Sequence, residues 1–212
     1  MRKLIPLITM SLLALLLVAC DNSLNRADRT ITLVQDHVNE IINELNEIQL
    51  QEENLQADFE ETLNQSEDLS AFKNTENKVY QNVQTRQSHL ERLQELTGEL
   101  GNLTKEFETI QRRETLPNDQ VNQLLERINQ LNTDMSTYVS DYLANLQIEQ
   151  TTYQSIANAE TDYNDFFGVF DNVNTLASTN QMNLEKVLAH FESINTQLIN
   201  FKVFIANAQE NR

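Results

Sequence analysis

Apolar residues recur at alternating steps of three and four along most of the chain, and this spacing limits the fold more than any other feature. The first run holds Ile31, Val34, Val38, Ile41, Leu45, Ile48, Leu55 and Phe59. Three further runs start near Leu69, Val121 and Leu184. Such spacing, sustained over several heptads, predicts helices packed along one narrow apolar seam. With only 3 Gly and 2 Pro, the chain lacks the regular turn residues that a β-sheet protein needs.

Polar and turn-forming residues separate the four seams. Ser66 or Asp68 could serve as the N-cap of the second helix, and Pro117 fits the first turn of the third helix. The segment from Gly168 to Asn174 is expected to end the third helix and start the fourth. We therefore predict one domain over residues 29–212, with helices at about 29–63, 68–112, 118–168 and 174–209. Short connections make consecutive helices antiparallel, so the predicted fold class is all-α: an elongated antiparallel bundle of four long helices with coiled-coil-like packing.

Several charged residues interrupt the seams, namely Glu52, Glu76, Arg86 and Glu149. Buried charges require partners, so these positions predict a core that contains water or polar groups in places. Gly98 and Gly101 lie inside the second predicted helix, where each costs about 1 kcal/mol relative to Ala. They indicate either a kink, a close helix crossing, or simple tolerance.

The N-terminus has the parts of a secretory signal. Arg2 and Lys3 precede an apolar run from Leu4 to Leu16, which is shorter than the roughly 20 residues of a membrane-spanning helix. The next residues, Leu-Val-Ala-Cys at 17–20, match the lipobox of bacterial lipoproteins, whose chemistry needs a thiol for the thioether to diacylglycerol. We predict a signal peptide at 1–19 and lipid attachment at Cys20, the only cysteine. An ordinary signal peptide with a chance cysteine is the alternative.

An acylated Cys20 would place the protein on the extracytoplasmic face of the cell membrane, with membrane lipid as its first partner. Two acyl chains give stable residence where one gives only marginal binding. Residues 20–28 are predicted to be the lipidated cysteine and a short polar tether, with a reach of at most about 28 Å from Asp21 to Asp28.

Charge excludes some classes of partner. Without Arg2 and Lys3 of the signal peptide, 13 basic residues remain against 32 acidic ones, a net charge of −19. Nucleic-acid binding depends on basic residues that neutralise phosphates, so we predict no nucleic-acid partner. Direct attraction to anionic lipid or anionic wall polymers is disfavoured for the same reason.

No sequence motif for catalysis or a cofactor is present, so we predict neither an enzyme nor a bound cofactor. His37, His89 and His190 each precede a seam residue. In an antiparallel bundle His89 and His190 could lie level with each other, which makes them weak candidates for metal ligands. Histidines at the edge of a solvated helix face are the preferred interpretation, because no metal-ligand spacing accompanies them.

The second seam carries a family resemblance. Its segments Asn77-Lys78-Val79, Asn82-Val83, Arg86 and Lys105-Glu106-Phe107-Glu108, with the lipobox and four long helices, resemble the YkyA-like cell-wall-binding lipoproteins of Gram-positive bacteria. The likeness extends more loosely over nearly the whole mature chain. It implies association with the cell wall and supplies no catalytic or ligand-binding residues.

The leading hypothesis is a non-enzymatic, membrane-anchored surface lipoprotein that binds cell-wall or cell-envelope components through its helix faces. One alternative is a helical scaffold that binds an envelope protein. Another is a surface lipoprotein that binds a ligand or a metal ion.

Overall fold

A computed structural model describes the backbone of residues 5–111, 116–158 and 163–210, and the side chains of residues 24–111, 116–158 and 167–210. It contains four α-helices: α1 (Ile5–Leu63), α2 (Lys78–Gln111), α3 (Asn118–Ile156) and α4 (Tyr163–Glu210). A single 3-10 turn, Ser70–Lys73, lies between α1 and α2. The described residues include no strand, and the predicted all-α class is confirmed.

Tertiary contacts group the helices into two compact units, each of which takes one segment from every helix. Unit 1 comprises Met1–His37, Glu99–Gln130 and His190–Arg212. Unit 2 comprises Val38–Gly98 and Leu131–Ala189.

Consecutive helices run antiparallel within each unit, as the residue numbers of bonded partners show. In unit 1, Arg26 of α1 pairs with Glu106 of α2, and the later His37 pairs with the earlier Glu99. In unit 2, α3 and α4 follow the same rule, because Asn145 donates to Asn180 at 2.8 Å while Asn183 donates to the earlier Asp141 at 2.9 Å. The antiparallel direction that short connections between helices predict is thus observed in these helix pairs.

The apolar seams form the core of both units. In unit 1 the fully buried seam residues include Ile31, Leu100, Phe107, Val121, Ile194 and Phe201. In unit 2 they include Ile48, Leu90, Leu93, Leu131, Met135 and Val187. Each such side chain removes apolar surface from water and contributes about 1.5–3 kcal/mol before the entropy of ordering is subtracted.

The predicted polar tether is helical instead. Residues 20–28 lie within α1, and Leu24 and Ala27 are buried in unit 1. The reason is that the first seam begins one heptad earlier than predicted, since Leu24, Ala27 and Ile31 continue the same spacing of three and four. Arg26, on the other side of the helix, pairs with Glu106 at 2.5 Å. Within the described residues, no helix is both long and apolar enough to cross a membrane.

The second helix starts at Lys78, ten residues later than predicted. Ser66 and Asp68, the predicted N-caps, instead bond the backbone N–H groups of Ala71 and Ser70 in the connecting loop. The observed N-cap of α2 is Asn77, whose Oδ1 accepts a hydrogen bond from the backbone N–H of Tyr80 at 2.7 Å. Asn is among the best N-cap residues. The second helix therefore begins at a favourable N-cap residue, but not at either of the two residues predicted.

The boundary between the third and fourth helices was also predicted too late. α3 ends at Ile156 and α4 begins at Tyr163, so the segment from Gly168 to Asn174 lies inside α4. A Cβ at Gly168 would meet nothing within 4 Å, and Asp171 and Asn174 are exposed. Polar residues and one glycine on an exposed helix face cost about 1 kcal/mol or less each, which is too little to end a long helix.

Of the three interpretations of Gly98, the structure supports the simplest, in which the helix tolerates a glycine there. α2 continues past Gly98 and Gly101 to Gln111, and a Cβ at Gly98 would meet no atom within 4 Å. No close helix crossing therefore requires a glycine at that position.

Candidate functional site

The charged interruptions of three seams meet in the core of unit 2. Arg86 of α2 and Glu149 of α3 are only 2 % and 3 % exposed. Arg86 Nη1 donates to Glu149 Oε2 at 3.0 Å, and Nη2 donates to Oε1 at 2.5 Å. This bidentate pair gives each buried charge its opposite at the geometry that the guanidinium and carboxylate share.

Arg86 makes two further hydrogen bonds, so four of its five N–H donors have partners. Its Nε donates to Asn82 Oδ1 at 2.8 Å, and Nη1 also donates to the Tyr142 hydroxyl at 3.1 Å. Asn82 is held in turn by α1, because its amide donates to Asp58 Oδ2 at 2.8 Å and to the backbone oxygen of Gln51 at 2.7 Å. The pair is thus part of a network that spans α1, α2 and α3.

Glu52 of α1 completes the network by accepting a hydrogen bond from the Tyr142 hydroxyl. Burial raises the pKa of the half-buried Glu52 carboxyl, and the hydrogen bond from Tyr142 and the charge of Arg86 only partly oppose this. Burial acts most strongly and lowers the pKa of Arg86, but the charges and hydrogen bonds of Glu149 and Tyr142 together outweigh it and raise that pKa, so Arg86 stays protonated. Burial also raises the pKa of Tyr142.

A cavity of about 950 Å³ lies beside this network in unit 2. Most of its lining comes from α1 and α4, while α2 contributes Arg86 and α3 contributes Glu149 and Tyr153. Its apolar lining residues are Leu55, Phe59, Leu63, Tyr153, Phe167, Phe170, Val173 and Ala177. Its polar lining residues are Glu52, Gln56, Glu60, Arg86, Glu149, Asn174, Ser178, Asn180 and Gln181.

The cavity walls combine two kinds of side chain. Small or polar residues, such as Ala177 and Ser178 of α4 and Gln56 of α1, alternate with the large apolar ones. The small and polar residues do not supply the apolar side chains that a tight helix contact requires. At one end of the cavity the ring of Phe59 packs against those of Phe170 and Tyr153, at centroid distances of 5.1 and 6.1 Å.

The cavity carries an excess of negative charge. Its charged lining, as far as the structure describes it, consists of three carboxylates, on Glu52, Glu60 and Glu149, and one cation, on Arg86. Because Glu149 is paired with Arg86, the excess falls on Glu52 and on the exposed Glu60. Among the described residues, neither carboxylate has an ion-pair partner.

The two histidines predicted as weak metal candidates do not share a unit. His89 belongs to unit 2, where its Nδ1 lies 2.6 Å from Glu44 Oε2, and His190 belongs to unit 1. Within the part of the chain that is described, no cluster of three or more His, Cys, Asp and Glu side chains is placed to hold a metal ion.

The lipid-attachment residue, Cys20, lies in the helical backbone of α1, but its side chain is outside the described residues. Acylation at Cys20 therefore stays a prediction from the sequence.

Comparison with known families decides the membership that the second seam suggested. Residues 24–203 match the family model YkyA, described as "Putative cell-wall binding lipoprotein". The chain belongs to the YkyA family. The match begins at the buried seam residue Leu24 and includes every described residue that lines the cavity. Membership in a lipoprotein family places the chain among membrane-associated surface proteins. No curated protein and no solved structure matches the chain.

Sequence reasoning found three members of the site and missed the rest. Glu52, Arg86 and Glu149 stood out because each replaces an apolar seam residue. Asn82 offered a weaker signal, since it lies four residues before Arg86 and thus on the same helix face. The role of the Tyr142 hydroxyl was hidden because the ring occupies an ordinary core position.

The buried pair predicts a large, non-additive effect on stability. Arg86→Met leaves the Glu149 carboxylate buried without a counter-charge, so we expect a loss of about 3–5 kcal/mol in the free energy of unfolding. The double variant Arg86→Met/Glu149→Met should recover much of this loss, because the uncompensated charge is gone. Urea unfolding followed by circular dichroism measures both.

As a control, Arg92→Met at the part-exposed Arg92–Glu95 pair should cost less than about 1 kcal/mol. A double variant that loses as much stability as Arg86→Met and Glu149→Met measured singly lose together would contradict the role given to this pair.

The raised pKa of Glu52 predicts a pH-dependent gain from Glu52→Gln. A carboxyl whose pKa is higher in the folded protein than its usual 4.5 binds more protons when folded. Its contribution to stability therefore falls as pH rises from 4.5 through the folded-state pKa. Glu52→Gln keeps an acceptor for Tyr142 and removes the charge, so it should be more stable than wild type at about pH 7 and equal to it below about pH 4. Urea unfolding midpoints across this pH range test the sign of the stability difference between the variant and wild type.

The control is Glu91→Gln at an exposed position, which lowers the net negative charge equally. A Glu52→Gln variant less stable than wild type at neutral pH would show the sign to be wrong.

Proposed function

We propose that this protein is a non-enzymatic surface lipoprotein, anchored by an acylated Cys20, that binds a cell-wall component in the cavity of unit 2. The observation that carries the proposal is the cavity itself. Its volume lies within the range of about 300–1,000 Å³ that is usual for ligand sites, and it combines apolar walls with a few polar groups. The description of the YkyA family supplies the class of partner.

Two ionisable groups beside the cavity, Arg86 and Tyr153, suit binding better than catalysis. Arg86 commits its donors to Asn82, Tyr142 and Glu149. Burial raises the pKa of Tyr153 further above neutrality. A general acid or base works best with a pKa near the operating pH, and these two groups are held far from that condition.

The net charge narrows the choice of wall component. An acidic protein is repelled by phosphate-rich anionic polymers, and the cavity adds two unpaired carboxylates to that repulsion. Peptidoglycan, with its neutral sugars and amine-bearing peptides, is therefore the component that we propose.

Co-sedimentation with cell walls tests this function. The full-length chain in lipid nanodiscs should pellet with isolated walls, and removal of their anionic polymer should leave the binding intact. Ser178→Trp should fill the cavity and weaken binding by about tenfold or more, equivalent to about 1.4 kcal/mol. Ser88→Trp is the matched control, because both serines are exposed and each bonds the carbonyl oxygen four residues earlier. Binding that both tryptophan variants retain would exclude the cavity as the wall site.

The anchor makes a separate prediction. Cys20→Ala removes the thiol that forms the thioether, so the protein should shift from the membrane fraction to unprocessed precursor or to the medium. Cell fractionation with an antibody measures the shift, and metabolic labelling with a fatty acid should mark wild type alone. Equal fractionation of the two proteins would contradict the lipoprotein assignment.

A further inference from the structure

We infer that the cavity of unit 2 takes an organic cation with an apolar body: an ammonium group that meets the half-buried carboxylate of Glu52, carried on hydrocarbon that packs against Phe59 and Phe170. The inference rests on the proposed role of the cavity as a binding site and names the class of ligand for it.

Charge complementarity is the first argument. Arg86 is neutralised by Glu149 and uses four of its five N–H donors within the network, so it offers little to an anionic ligand. The described residues of the lining include no Lys or His. The carboxylates of Glu52 and Glu60 therefore set the sign of the field that a ligand meets, and this field favours a cation.

The position of Glu52 is the second argument. Its carboxylate is half-buried, and the Tyr142 hydroxyl fixes it by donating to Oε1. An ionised carboxylate has about four lone-pair sites, so one hydrogen bond leaves acceptor capacity directed at a ligand. An ammonium group brings three donors and a full positive charge, which would compensate the cost of keeping Glu52 ionised in a part-buried place.

The aromatic lining is the third argument. Phe59, Phe167, Phe170 and Tyr153 all border the cavity, and Phe167 is 48 % exposed. Aromatic faces bury hydrocarbon and also attract cations, by about 0.5–2 kcal/mol depending on desolvation. A neutral sugar could use the same rings but would leave the two carboxylates without a counter-charge.

Three probes that share one hydrocarbon body and differ in charge test the inference: n-octylammonium, n-octanol and n-octanoate. Their affinities for the full-length chain in lipid nanodiscs are measured by isothermal titration, with empty nanodiscs as the blank for lipid partitioning. We expect octylammonium to bind about tenfold or more tightly than either of the other two. Ser178→Trp should weaken its binding and Ser88→Trp should not.

Single-residue variants locate the charge selectivity. Glu52→Gln should weaken octylammonium by about fivefold or more and leave octanol unchanged, while Glu91→Gln, outside the cavity lining, should change neither. Circular dichroism verifies that each variant is folded. Equal affinity for octylammonium and octanol, or octylammonium binding that Glu52→Gln does not weaken, would overturn the inference.

The two proposals can fail separately. If Ser178→Trp abolishes wall binding but no probe shows a charge preference, the cavity binds the wall through a neutral group, and the cation inference alone falls. If octylammonium binds selectively but the protein does not sediment with walls, the ligand class stands and the wall-binding function falls.

Discussion

The buried pair of Arg86 and Glu149 is the interaction on which unit 2 depends. Removing two charges from water costs several kcal/mol per ion, and the mutual attraction offsets this only when geometry and hydrogen bonding are complete. Here both conditions are met by the bidentate contact and by Asn82 and Tyr142. Because these partners come from different helices, a one-residue shift of α2 against α3 would strand a charge in the core. A seam of leucines would tolerate such a shift far better, so the pair selects one register.

The same network also shapes the cavity. A polar layer in the core requires polar neighbours, and these appear as Glu52 on α1 and Asn180 on α4. Asn180 is held by Asn145 of α3, so α4 is tied to α3 at this level, while the lining faces of α1 and α4 combine polar side chains with large apolar ones. An open site beside a hydrogen-bonded layer results, and rigid surroundings are what a selective binding site requires.

The helical class and most of the core followed from periodicity, because a spacing of three and four has one structural solution over this length. The residues at which the helices begin and end were harder to predict from the sequence. The seam reaches back to Leu24, although polar residues around it resemble a tether, and Gly168 is accommodated inside α4, although glycine commonly marks a helix end. Local propensities of about 1 kcal/mol or less decide such points only when tertiary packing is neutral, and here packing extended both helices. The cavity could not be predicted, since it depends on which faces of α1 and α4 oppose each other.

The extension of α1 changes what an anchor at Cys20 would do. Leu24, a buried residue of unit 1, lies four positions after Cys20, and along an α-helix this separation is only about 6 Å. A flexible tether would let the protein search a volume above the membrane, whereas a helix that continues into the packed core leaves almost no slack. With lipid on Cys20, unit 1 would be held against the bilayer surface, and its partners would have to reach the membrane-proximal zone themselves.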